Sequence, residues 1–276
     1  MEEALALCAR SVVPALFPFM VISSLLLKLG FGELAAPWLA GWMEPMFRVD
    51  GAGSSAFVLG LIGGYPIGAR TAADLYQEHL VSREEAERLL TFCNNSNPVF
   101  LISVLGVGVF GSTRTGLWLW LIHVGSALLT GLFFRGRNRS SERQRLSRRP
   151  SFHAKKLTTA FVETVQSSLS GMLSVCAFVV FFYVLARPLT QLGRYAGPLL
   201  VGLTELFSLT PLLEPTHFGF IIAAGMAGWG GLSVLCQTAA VLDGSGLSAR
   251  PCLYGKAVQG LLSAVLAALL SNYVLG

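Results

Sequence analysis

The chain has 276 residues, of which 53% are hydrophobic and only 13% charged, and its mean hydropathy is +0.63. A globular domain carries about 25% charged residues. This composition therefore excludes a disordered chain, a disulfide scaffold and nearly all soluble folds, and leaves an integral membrane protein. The net charge of +5 is concentrated in residues 135–156, which hold nine basic residues and one acid, Glu142.

Residues 11–27 are uncharged but contain Pro14 and Pro18, and are just long enough to cross a hydrocarbon core of about 30 Å. Residues 34–47, with Trp38, Trp42 and Glu44, suit the membrane interface. Residues 54–69 are apolar or small and dense in glycine. Residues 82–97 open with Ser82-x-x-Glu85, a capping box, and read as a polar-sided helix. Residues 98–111 are uncharged and too short to span alone. Residues 115–134 make a full span interrupted only by His123, read as a helix–helix hydrogen-bonding residue. The basic run follows. Between apolar spans it reads as a cytoplasmic loop by the positive-inside rule, in preference to a nucleic-acid site.

Residues 157–171 are mildly amphipathic and 169–186 form a span. Residues 195–213 carry Glu205 near the middle, 215–242 are broken by Gly228 to Gly231, and 253–275 form a closing span with Lys256 near one end. The five cysteines are scattered without a Cys-x-x-Cys pair and read as small hydrophobes. Glu2 and Glu3 stand where a cleavable signal peptide would be basic, so none is expected.

The hydropathy pattern repeats. Each half has an opening span, an apolar segment with a polar break (60–68; 202–210), a short segment begun by a polar or glycine knot (94–98; 228–231), and a closing span. Paired interruptions in two halves point to an inverted-repeat transporter with its site where the breaks meet. An ordinary bundle packed through glycine is the competing reading. The expected organisation is a first membrane repeat (1–134), a basic cytoplasmic linker (135–156) and a second repeat (157–276). The expected fold is all-α and polytopic, with broken or re-entrant half-helices.

Four constellations could carry chemistry. In Gly63 to Arg70, three glycines and a proline preclude regular helix, and unwound backbone in lipid must line a cavity or be buried in protein. Gly64, Tyr65 and Arg70 are the candidates there; a surface turn with Arg70 snorkelling is the alternative. Asn94, Asn95, Ser96 and Asn97 precede Pro98 at a helix start, a place that binds anions; capping needs only one of the four. Thr204 and Glu205 lie in an apolar segment, where a carboxylate is by default functional, or else pairs with Arg187, Arg194 or Lys256. Gly230, Gly231, Ser233 and Gln237 would form the second half-helix start, or a glycine packing face. No histidine spacing suits a metal. Residues 243–250 fall short of a lipid-phosphotransferase motif, because the spacing is too long. No enzyme activity is expected.

The segments Val13 to Phe19, Gly64 to Ala69, Glu85 to Leu90 and Phe92 to Pro98, with Gly202 to Glu205 and Gly230 to Val234 plus Gln237, resemble the YlbJ/SpoVV sporulation integral membrane proteins. That family belongs to the Gate, or nucleoside-recognition, group. The resemblance implies a fold similar to concentrative nucleoside transporters and transport of dipicolinic acid toward the developing spore, in the cell membrane or the outer forespore membrane. The residues suit a small organic anion held between half-helix N-termini, with Tyr65 stacking on its ring. A nucleoside or other small metabolite is the second reading, and a non-transporting membrane scaffold the third. The expected partners are the solute and the lipid bilayer, not nucleic acid, with homo-oligomerisation left open. No cofactor is expected beyond an unassigned coupling proton or sodium ion.

Overall fold

The computed structural model describes residues 2–29, 41–136 and 157–276. Among these residues the chain is all helical, without strands. The basic segment lies outside the described residues from position 137 to 156, as do residues 34–40 of the expected interfacial segment.

Helix α1 (Glu2–Leu7) passes through a π-helical turn, Cys8–Val12, into α2 (Val13–Lys28). After a short helix at 41–47, Asp50 caps the turn Gly51–Gly53 by accepting from the Ala52 amide at 3.0 Å, and α3 (Ser54–Gly63) follows. The expected break over 60–68 is only three residues wide, Gly64 to Pro66, and α4 (Ile67–Gln77) resumes at once. Gly60 and Gly68 are not part of the interruption. They sit at a crossing so close that a Cβ on either would lie 1.8 or 2.0 Å from the Cys93 carbonyl oxygen.

The Ser82 capping box forms as the sequence requires, and starts α5 (Arg83–Leu89). This helix stops well short of Asn97. The Thr91 hydroxyl donates to the Arg88 carbonyl at 2.7 Å and the Asn95 amide to the Phe92 carbonyl at 2.8 Å, so side chains take the acceptors a continued helix would use. Residues 94–97 are non-helical. Helix resumes at Pro98 and runs as a π-helix over Phe100–Val109, with the Phe110 amide bonding back to Leu105. Helix α6 (Thr113–Phe133) follows, capped by Ser112.

The two segments expected within 157–186 are one helix, α7 (Leu157–Ala186), since nothing in the run forces a break. A turn, Arg187–Gln191, leads to α8 (Ala196–Thr204). Glu205 is extended (φ −151°, ψ 124°) and separates α8 from α9 (Leu206–Leu209). Helices α10 (His217–Trp229) and α11 (Gly231–Leu242) are divided by Gly230, which is left-handed at φ 86°. Helix α12 (Arg250–Leu275) closes the described chain.

Among the described residues, four stretches are long and apolar enough to cross a membrane: Thr113–Phe133, Leu157–Gln191, His217–Leu242 and Arg250–Leu275. Their faces are sorted as a bilayer demands. On α12, Leu261, Val265 and Leu269 are exposed, while Lys256, Gln259, Ser263 and Ser271 are buried. Polar atoms turn inward to each other and aliphatic ones outward, the reverse of a soluble helix. The protein is a multi-pass integral membrane protein. One apolar cluster joins Phe100, Leu105 and Leu119 to Val201, Phe220 and Ala267, so both halves share a core.

Candidate functional site

The interruptions of four helical runs among the described residues come together. An added Cβ on Gly64 would lie 3.1 Å from the Asn97 side chain, and one on Gly230 would lie 3.3 Å from the Tyr65 hydroxyl. An added Cβ on Gly231 would lie 3.0 Å from the Thr204 carbonyl oxygen and 3.3 Å from the Glu205 Cα. The Trp229 indole donates to the Leu203 carbonyl at 3.0 Å, tying the end of α10 to the end of α8.

Between the breaks lies a cavity of about 20 Å³, room for about one water. Its polar wall is Tyr65, Ser96, Asn97, Glu205 and Gln237. Its apolar wall includes Phe100, Phe207 and Val234. A ring-bearing solute requires these walls to part.

Each polar group has a local reason for its position. Asn97 is the cap of the Pro98 helix: its Oδ1 accepts from the Phe100 amide at 2.7 Å, while its buried Nδ2 has no protein partner. Glu205 is 2% exposed, and its carboxylate accepts from the amides of Phe207, at 3.0 Å, and Ser208, so it caps α9. No cation of the described residues pairs with it; Arg187 pairs with Glu3 and Arg194 with Glu214. Gln237 Nε2 donates to Ser233 one turn earlier at 3.2 Å. The α11 N-terminus begins at Gly231 with no side-chain cap, so its first amides are unclaimed by any side chain.

Of the other sequence candidates, Asn94 and Asn95 are fully buried behind the cavity. Asn94 Nδ2 donates to Thr238 at 2.8 Å and Asn95 Oδ1 accepts from Gln259 at 2.9 Å. Ser96 donates its amide to His123 Nε2 at 3.1 Å, so the imidazole serves the break, while the helix–helix bond at His123 runs from Gln259 to its carbonyl at 3.5 Å. Gly64, Gly230 and Gly231 form the turning points. Thr204 bonds back to the Val201 carbonyl at 2.7 Å and presents only its backbone to Gly231. Arg70 is not brought to the cavity. It is exposed on α4, where the buried face is Ala69, Ala72 and Ala73, and it contributes no charge to the wall.

Lys256, weighed in the sequence only as a possible partner of Glu205, stands directly behind Tyr65, with Gln259 bonded to it. Lys256 is fully buried, and its Nζ donates to the Tyr65 hydroxyl at 2.9 Å, the Asn94 carbonyl at 3.0 Å and Gln259 Oε1 at 2.8 Å. The signal was present in the spacing. Cys252, Lys256, Gln259 and Ser263 recur every three or four residues, which is one face of a helix, and Ser271 falls about two turns further along it. Tyr65 in turn donates to the Ala227 carbonyl at 2.8 Å, linking the α3–α4 break to the end of α10.

A family model described as nucleoside recognition, named Gate, matches residues 9–115, the stretch that holds the Gly64 and Asn94 to Pro98 breaks. The sporulation integral membrane protein YlbJ of Bacillus subtilis (strain 168) is 31% identical over an alignment of 301 residues, which covers 94% of this chain and 74% of that protein. No solved structure matches the chain.

Proposed function

The chain belongs to the family of the sporulation integral membrane protein YlbJ, and from that premise we propose that it is a transporter acting in sporulation, whose solute passes through the cavity where the helix breaks meet. The observation that carries this reading is the convergence itself. Tyr65, Asn97 and Glu205, each at an interruption, line one small space, and the fourth break packs against two of them through Gly230 and Gly231. Unwound backbone at membrane depth is tolerated where it lines a solute path. A bundle that merely packs through glycine has no need to place Asn97, Glu205 and Gln237 around a shared cavity.

The helical order supports an inverted-repeat reading with the halves divided by the basic linker at 135–156. Helices α3 and α4 with their break correspond to α8 and α9 around Glu205. The α5–Pro98 pair corresponds to α10–α11, and α6 corresponds to α12.

For the solute we propose a small organic anion, with dipicolinate first. The uncapped N-terminus of α11 and the Lys256 ammonium behind Tyr65 both favour negative charge. The loss of Arg70 from the wall weakens the anion reading. The carboxylate of Glu205 and the amides of Asn97 and Gln237 suit the hydroxyls and base edges of a nucleoside or another neutral metabolite, which is the second reading. A scaffold without transport is the rival outside this class.

Uptake of labelled dipicolinate and of labelled nucleosides by the purified protein in liposomes tests the proposal. Saturable dipicolinate uptake is expected, with nucleosides neither carried nor competing. Nucleoside uptake in its place selects the second reading. A folded, correctly inserted protein that carries neither overturns transport of these solutes.

A further inference from the structure

We propose that Lys256 is a positioning residue that acts through the Tyr65 hydroxyl to make the cavity selective for a carboxylate. The inference rests on the anion reading above, and adds to it the source of the charge.

All three of the ammonium's partners are oriented as acceptors. The Tyr65 hydroxyl gives its own proton to the Ala227 carbonyl at 2.8 Å, and Gln259 directs its NH2 to Asn95 Oδ1 at 2.9 Å, leaving Oε1 for Lys256. The Asn94 carbonyl is the third. Three acceptors match the three N–H donors of an ammonium. All three acceptors are neutral, and no carboxylate among the described residues pairs with Lys256. Glu205 lies on the cavity wall, and its carboxylate is occupied by the first amides of α9. A fully buried cation without a counter-charge favours any anion that comes near it.

Tyr65 stands between this cation and the cavity, whose wall it helps to form. Its oxygen accepts from Lys256, while its proton has two directions open: the Ala227 carbonyl, as observed, or a solute carboxylate in the cavity. Turning to the solute breaks one hydrogen bond and makes a charge-assisted one. The proton stays on Tyr65 and Lys256 keeps its bond to the oxygen. A hydroxyl that already accepts from an ammonium is a stronger donor, so the charge is felt one hydrogen bond further on. A neutral solute of the same shape gains much less.

Binding of dipicolinate and of its neutral diamide to the purified full chain tests this directly. Wild type should prefer dipicolinate. Lys256→Met should weaken dipicolinate by about tenfold, the size of one charge-assisted hydrogen bond, and leave the diamide within about twofold. Tyr65→Phe should produce the same split, and the double variant should be no worse than either single one, because the two residues act in series. Equal weakening of both solutes by Lys256→Met would reduce the lysine to a structural latch and overturn the inference. So would unchanged dipicolinate binding. A wild type that prefers the diamide overturns the anion reading itself, and the assignment of Lys256 falls with it. If Lys256→Met does not fold, Tyr65→Phe decides by the same two solutes, since it leaves the bonds of Lys256 to Asn94 and Gln259 in place.

Discussion

Asn97 uses its two polar atoms differently. Its oxygen holds the start of the Pro98 helix, through the 2.7 Å bond from the Phe100 amide, and its buried NH2 has no protein partner. Asn97→Ala loses the cap and should cost about 1 kcal/mol of stability. Asn97→Asp keeps the cap but places a negative charge on the cavity wall. For an anionic solute the aspartate variant should bind more weakly than the alanine variant, although it melts higher. For a nucleoside the two should bind alike. Glu205 is the analogous cap of α9, with two amides on one carboxylate. Glu205→Ala should lose about 1–2 kcal/mol. Glu205→Gln keeps one acceptor and should lose less, and melting in the same detergent reads the difference. If the glutamine variant carries solute at the wild-type rate, Glu205 is a cap and nothing more. Asn97 was legible because an Asn-Pro step before an uncharged run is a helix start in any context. The direction of Arg70 is not legible because it depends on where α4 begins. Starting at Ile67 turns Arg70 away from the face of Ala69, Ala72 and Ala73, and that starting point is not written in the glycine content.

At the scale of elements, the α3–α4 hairpin depends on approach to backbone. Gly60 and Gly68 press on the Cys93 carbonyl from two helices, and a backbone oxygen fixed at that crossing cannot yield to a methyl group. Gly68→Ala should sharply lower the yield of monodisperse protein on size exclusion. Gly125→Ala on α6, where an added Cβ meets nothing within 4 Å, should be neutral or slightly stabilising. Equal behaviour of the two variants would contradict the crossing. The sequence showed that this glycine cluster interrupts a helix, but composition does not separate the glycines that turn the chain from those that let two helices touch. Only residues 64–66 turn it. Helix α12 shows the opposite case. It is unbroken, so no interruption in the sequence ties Lys256 or Gln259 to the site. Their depth is set by neighbours on α10 and by the 94–97 segment, which are distant in sequence.

The whole molecule has a sidedness that the described residues leave to the linker. With nine basic residues over 135–156, the positive-inside rule predicts a cytoplasmic position for that segment. Arg145→Cys should be labelled by an impermeant thiol reagent from that side; labelling only from the other side would invert the topology. The membrane class followed from composition alone, and the existence of the breaks followed from glycine, asparagine and proline. Their meeting point did not. It is made by contacts such as Tyr65 to Ala227 and Gly231 to Thr204, which bring together residues far apart in the chain. Ser96 reports on that meeting point most directly, because it lines the cavity while its amide is held by His123. In proteoliposomes, a Ser96→Cys variant built on a background with the five native cysteines replaced should lose solute flux when a small thiol reagent is added, and solute present beforehand should protect it. Full flux after complete modification at position 96 would contradict a path through this cavity.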